Sequence, residues 1–205
     1  MSGDTVAEDT RSRLLATALK LFSEHGVGGT SLQMIADELG VTKAAVYYHF
    51  KTKDEITEAV AAPALQELLA RMDEAERQRT RGAQIDHALS GFVDLIVQYR
   101  SLIALFNSDP GIIRAIDRSL NGVENFAARM RKLLVGPDPD LATALTANVL
   151  LAGLALAGGS PEQAHLDDET LRVHLFDIGR RMLGRPKRRG SARAEGSASM
   201  GAQGA

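Results

Sequence analysis

Between Thr42 and Lys53 the chain gathers hydroxyls, phenols, an imidazole and ammonium groups around a pair of alanines. With 3.6 residues per turn, Thr42, Lys43, Ala44, Ala45, Tyr47 and His49 can share the outward side of one short helix whose inward side carries Val46 and Phe50. Hydroxyl and cationic donors suit phosphate oxygens, and small side chains allow close approach to base edges. The chemistry on offer is therefore non-covalent recognition of nucleic acid. Tyr47 and Tyr48 project about 100° apart on a helix, so they cannot both enter one core. His49, taken alone, reads more readily as a structural or solvent-facing ring than as a phosphate donor. Ala44 and Ala45 carry no side-chain hydrogen-bonding group and can read at most a thymine methyl.

Other chemistries lack their residues. The 205-residue chain has no cysteine, which removes disulfides, thiolate metal sites and cysteine nucleophiles. His25, His87, His165 and His174 lack a partner at metal-ligand spacing on one helix face. A nucleophile elbow, a P-loop, a dinucleotide glycine fingerprint and a His-Glu-x-x-His pair are all missing. No enzymatic activity, metal or cofactor is expected. The formal net charge of -2 gives no overall basic footprint, so attraction to nucleic acid must come from local clustering. Arg11, Arg13, Lys20, Lys43, Lys51 and Lys53 face only Glu24, Asp37 and Glu38 over that stretch, which makes it locally basic.

The elements that position these groups are helical, because apolar residues recur at three- and four-residue spacing nearly throughout. Thr10 is the expected N-cap of a first helix that buries Leu14, Leu15, Ala18, Leu21 and Phe22 and ends at Gly26, before a turn at Val27 to Gly29. Thr30 or Ser31 caps a second helix, which Gly40 ends. Thr42 caps a third, roughly Lys43 to Tyr48. A long helix follows from Asp54 with Pro63 inside it, a candidate kink. Beyond Gly82 the pattern predicts a helix to about Tyr99, a short one to Asn107 and one from Gly111 to Val135. A nearly all-apolar helix over Leu141 to Ala157 and an amphipathic one over Asp168 to Leu183 complete the set. The fold class is all-α, about nine helices. Its domains are a DNA-binding head at 1–53, a helical body at 54–183 and a disordered, Gly-, Ser- and Arg-rich tail at 184–205.

Thr30 to Lys53 thus reads as two short capped helices joined at Gly40-Val41, the layout of a helix-turn-helix. At these residues the chain resembles the TetR family of bacterial transcriptional regulators. Gly40-Val41-Thr42-Lys43, Tyr47-Tyr48-His49-Phe50 and Lys53 follow its pattern, as does a first helix ending in Phe22 and Gly26. The motif covers roughly the first quarter of the chain, and the rest agrees in helix order and length. The resemblance implies a helix-turn-helix head on an effector-binding and dimerisation body. It also implies a DNA-binding set of Thr30, Thr42, Lys43, Ala44, Ala45, Tyr47, Tyr48, His49 and Lys53. Of these, Thr42, Tyr47, Tyr48, His49 and Lys53 would hold the DNA backbone, and Lys43, Ala44 and Ala45 would approach bases.

In the body, Phe92, Leu95, Tyr99, Phe106, Phe126 and Met130 read either as plain core or as the lining of an effector pocket. Asn121, Asn125 and Arg129 read as a solvated face or as a polar pocket wall. Leu141 to Ala157 is too apolar for a surface helix. With Leu145 and Val149 there, and Leu171, Leu175, Ile178 and Met182 on the last helix, a two-fold four-helix dimer interface is expected. The run Arg180, Arg181, Arg185, Lys187, Arg188 and Arg189 reads as non-specific DNA attraction or a solubilising tail. No basic apolar leader opens the chain, and the longest apolar run, Val149 to Ala157, falls short of a membrane span, so a cytoplasmic protein is expected. Its partners would be double-stranded operator DNA, a second copy and a small apolar or amphipathic effector. The expected function is repression relieved by that effector, the alternatives being an activator or a protein-interaction module of the same fold.

Overall fold

The computed structural model describes residues 3–119 and 123–185, and these contain ten α-helices and no strand. Helix α1 spans Gly3–Gly29 and buries Leu14, Ala18, Leu21 and Phe22 at helical spacing. It starts seven residues before Thr10, because nothing between Val6 and Asp9 breaks a helix; Thr10 is interior to it, not its cap. The break expected at Gly26 is present: its φ of 73° and ψ of 162° leave the helical region, and Val27 to Gly29 resume as a further helical turn.

Helix α2, Leu32–Leu39, is capped by Ser31, whose Oγ accepts from the Met34 N–H at 3.2 Å. Gly40 ends it in the left-handed conformation, at φ 72° and ψ 31°. Helix α3, Lys43–His49, opens on Thr42, whose Oγ1 accepts from the Ala45 N–H. Helix α4, Lys53–Glu76, runs through the exposed Pro63 as one element. Its buried line Ile56, Val60, Ala61, Ala64, Leu65, Leu68, Met72 and Ala75 packs first on α1 and then on the body. Head and body consequently share one continuous apolar core, so the expected boundary at 53/54 marks the start of α4 and not a gap between cores.

Helices α5, Arg81–Gln98, and α6, Arg100–Ser108, meet at a 91° bend. The single helix expected from Gly111 to Val135 is two, α7 at Pro110–Ser119 and α8 at Val123–Val135. The helix-unfavourable pair Asn121-Gly122 lies in the sequence between them. Of the polar trio considered for a pocket wall, Asn121 lies outside the described residues, as does the Asn125 side chain. Arg129 closes α8 onto α4 through Asp73 and Glu76.

Helix α9, Leu141–Gly158, is by length and composition able to cross a membrane; here it packs against α5, α6, α8 and α10. Helix α10 spans Asp168–Met182. Two glycines allow the tightest crossings. A Cβ on Gly158 would lie 2.1 Å from Ile96 Cγ2, and one on Gly179 would lie 2.6 Å from Leu89 Cδ1. Past α10, Arg185 folds back to donate to the Gly82 carbonyl at 3.2 Å and pairs with Asp86, as does the buried Arg180. Arg180 and Arg185 of the arginine run are thus structural. Lys187, Arg188 and Arg189, with the tail expected beyond, lie outside the described residues.

Candidate nucleic-acid interface

Ile35, Ala36, Val46 and Phe50 are at most 5% exposed and hold α2 and α3 against Leu14, Ala18, Leu21 and Phe22 of α1. Fixing Val46 inward turns the rest of α3 outward. Thr42, Lys43 and Ala44 are exposed, Ala45 and His49 half-buried. Tyr47 and Tyr48 are 41% and 77% exposed, so neither phenol is spent on packing. The Lys43 ammonium lies 5.7 Å from the Tyr47 ring centroid, and the His49 ring meets Tyr48 edge-on at 5.2 Å. The outward face therefore presents a cation, two phenols, an imidazole and a hydroxyl around the small side chain of Ala44.

Cations around α3 divide by their partners. Lys51 Nζ donates to the Tyr47 carbonyl at 2.8 Å, which neutralises the C-terminal end of the helix. Lys53 Nζ reaches back across the head to the carbonyls of Thr30 at 2.9 Å and Gly28 at 3.2 Å. In this conformation Lys53 binds the α1–α2 junction to the start of α4. Thr30, 2% exposed, donates its hydroxyl to the Leu21 and Gly26 carbonyls, which places it inside the head. On the far side, Lys20 Nζ binds Glu38 Oε1 at 2.6 Å; that hydrogen bond holds the ammonium above and the carboxyl below their ordinary ranges. Asp37 accepts from Gln33. Two of the three acids between Arg11 and Lys53 are thus engaged by partners on α1 and α2. Arg11, which the sequence showed only as a count in a basic stretch, lies 5.1 Å over the Phe50 ring beside the end of α3.

Within the body, Phe92, Leu95 and Met130 are buried in the common core, and Tyr99, Phe106 and Phe126 are half-buried against it. Tyr99 Oη donates to Glu67 Oε2 at 3.3 Å; burial first, and then the Glu67 charge, pushes its phenol above the usual range. An open groove of about 550 Å³ lies elsewhere, bounded by Ser23 of α1, by α6 from Ser101 to Ser108, by Leu156 near the end of α9 and by Gly159 to Pro161 beyond it. Of the residues expected at a dimer interface, Leu145 and Val149 are 52% and 60% exposed, and Ile178 and Met182 are partly open. Leu171 and Leu175, each 3% exposed, belong instead to the protomer's own core, on an inward line with Gly179 at i, i+4 and i+8. Among the described residues no cluster of three His, Asp or Glu could hold a metal ion.

Comparison with known proteins follows the same division. Residues 14–60 match the family of bacterial regulatory proteins described as tetR. The HTH-type transcriptional regulator AcrR of Shigella flexneri is 50% identical over 50 residues, which span 24% of this chain and 23% of that regulator. UidR of Escherichia coli (strain K12) is 26% identical over 158 residues, 72% of this chain and 79% of that one. The crystal structure of SCO3833, a TetR regulator from Streptomyces coelicolor A3, superposes with a TM-score of 0.66 over 85% of this chain and 90% of its own, at 20% identity. Sequence likeness is thus concentrated in the head, where the matched segment spans about a quarter of the AcrR regulator's length, whereas likeness of fold extends over nearly the whole chain. The head of the chain, residues 14–60, carries the helix-turn-helix of the TetR family, and the all-helical architecture behind it has the fold of a TetR-family structure.

Proposed function

We propose that the protein is a homodimeric DNA-binding transcriptional regulator, a repressor that a small molecule releases from its operator. One observation carries the reading: capped turns at Ser31, Gly40 and Thr42 hold α3 so that Lys43, Ala44, Tyr47 and Tyr48 stand free in front of a rigid apolar core. A helix so presented fits a major groove, with Ala44 and Ala45 near base edges and Thr42, Tyr47, Tyr48 and His49 on phosphates. Lys53 shares its ammonium between the head's own carbonyls and the DNA backbone.

The second copy covers the apolar stripe Leu141, Leu145, Val149 and Leu156 on α9, together with Ile178 and Met182 on α10. A two-fold four-helix contact of this kind sets two recognition helices about 34 Å apart. The effector is apolar or amphipathic and enters the body among Phe92, Leu95, Tyr99, Phe106, Phe126 and Met130. There the Tyr99–Glu67 pair offers a polar partner beside apolar walls. Pro63, with no amide to donate to the Ala59 carbonyl, is where α4 bends as the ligand binds. A hundredfold loss of operator affinity on binding corresponds to a coupling of about 2.7 kcal/mol.

The test is selection of binding sites from random duplexes with the full chain, followed by mobility shift against an unrelated fragment. Recovery of a palindromic site is the expected result. Failure to select any sequence, with the dimer intact, would leave a protein-interaction module of the same fold.

A further inference from the structure

Head and body touch at a second place besides α4. Gly26 and Val27, where α1 breaks, lie against Asp109 and Gly111, where α6 gives way to α7. One oxygen of the Asp109 carboxylate accepts from the Val27 N–H at 2.7 Å, 82 residues away in sequence; the other accepts from the Gly111 N–H at 2.6 Å. The joint is built for close approach on both sides. A Cβ on Gly111 would lie 2.8 Å from Val27 Cβ, and one on Gly26 would lie 3.0 Å from Asp109 Oδ2, at a φ of 73° that side chains other than glycine avoid. The Val27 N–H opens the helical turn that follows this break, and a half-buried carboxylate is an acceptor it receives there.

We propose that Asp109 is a positioning residue for DNA recognition: its bond to Val27 fixes the angle of the head on the body and so determines which separation of half-sites the dimer accepts. The inference rests on the DNA-binding reading above. A connection through α4 alone leaves the head free to swing about that helix, whereas a second attachment off the helix axis removes the swing. Across a two-fold axis, any such freedom appears twice in the distance between recognition helices. One base pair inserted between half-sites moves them by about 3.4 Å and turns them by about 34–36°. A latched dimer discriminates against that change, and an unlatched one tolerates it.

Asp109 also starts α7, so the variant must separate capping from latching. Serine caps a helix nearly as well as aspartate and can still accept from Gly111, but its single oxygen cannot also hold Val27. The experiment measures affinity of the full-length dimer for the site selected by the wild-type protein, and for the same site with one base pair added or removed between half-sites. Wild type is expected to lose at least tenfold at either altered spacing. Asp109→Ser should bind the original site about tenfold more weakly, with the spacing penalty reduced to threefold or less. Leu14→Ala, which loosens the head's core without touching the joint, should lower affinity at all three spacings by one common factor. A wild-type spacing penalty retained in Asp109→Ser, or reduced equally by Leu14→Ala, overturns the role of Asp109 and leaves DNA binding standing. A wild-type chain that selects no DNA overturns both readings.

Discussion

Replacement of Val149 by glutamate should split the dimer without unfolding the protomer. Val149 is 60% exposed on the outward stripe of α9, so the protomer gains little by burying it and loses little when it becomes polar. The dimer behaves differently. Full burial of a valine side chain is worth about 1.5–3 kcal/mol, so covering the open part contributes about 1–2 kcal/mol per copy and about 2–4 kcal/mol for the symmetric pair. Two carboxylates closed into an apolar interface without partners cost several kcal/mol more. A combined loss of at least about 4 kcal/mol raises the dissociation constant about a thousandfold. Sedimentation velocity at micromolar concentration should show a wild-type dimer and a Val149→Glu monomer with nearly the same helical circular dichroism and melting temperature. Persistence of the dimer in the variant, or a monomeric wild type, would refute the placement of the interface on α9. Leu175→Glu is no substitute: Leu175 is 3% exposed beneath Gly158, and a charge there should unfold the protomer before it reports on assembly.

Five further outcomes are expected. Lys43→Ala should relax the base preference at one position of each half-site, read by site selection with the variant. Lys53→Ala, which breaks bonds to Thr30 and Gly28, should lower the melting temperature and flatten the log–log salt dependence of operator binding by less than about 1.8, the value for two copies of a free phosphate clamp at about 0.9 per phosphate; the full change of slope with unaltered melting would make Lys53 a simple phosphate clamp. Gly158→Ala drives a methyl into Ile96 Cγ2 and should cost about 1–3 kcal/mol, or several degrees in melting temperature, part of which Ile96→Ala in the same chain restores. Hydrogen bonds from Arg129 hold the Asp73 and Glu76 carboxyls below their ordinary values, so they stabilise the fold above the unfolded range near pH 4 and lose this effect as pH falls through the lower folded values. Acid melts below about pH 4 should therefore be shallower in Arg129→Gln than in wild type. Pro63→Ala should raise thermal stability, because proline inside a helix costs up to about 3 kcal/mol, and should weaken the response of operator binding to an inducing compound.

How far residues announced their roles depended on the range of their partners. The head was legible because its determinants are local: Thr42 caps α3 from the adjacent position, Gly40 ends α2 with its own backbone, and Val46 and Phe50 lie one turn apart. In the body the same periodicity told less. The stripe Leu171, Leu175, Ile178 and Met182 shows that one side of α10 is apolar. It carries no mark that Leu171 and Leu175 face the protomer's own helices, with Ile178 and Met182 one step round toward solvent. Arg180 and Arg185 merged with a basic run until Asp86, 94 residues back from Arg180, claimed them. Lys53 looked like a free cation because main-chain carbonyls, its actual acceptors, have no sequence signature.

The joint at Asp109 is the extreme of this range effect, and it bears on how a head and a body with one continuous core can still move relative to each other. An apolar core resists separation but resists sliding poorly, since dispersion and area terms change little when one smooth face rotates on another. Orientation must come from directional bonds. Along α4 the core runs unbroken from Ile56 to Ala75, and it holds head and body together. The Asp109–Val27 bond has one geometry, at the end of α1 nearest the body. Cohesion and angle are therefore held by different interactions, and a rearrangement of α6 or α7 can release the second without weakening the first. Such a division lets a regulator change the separation of its recognition helices while losing almost none of its stability.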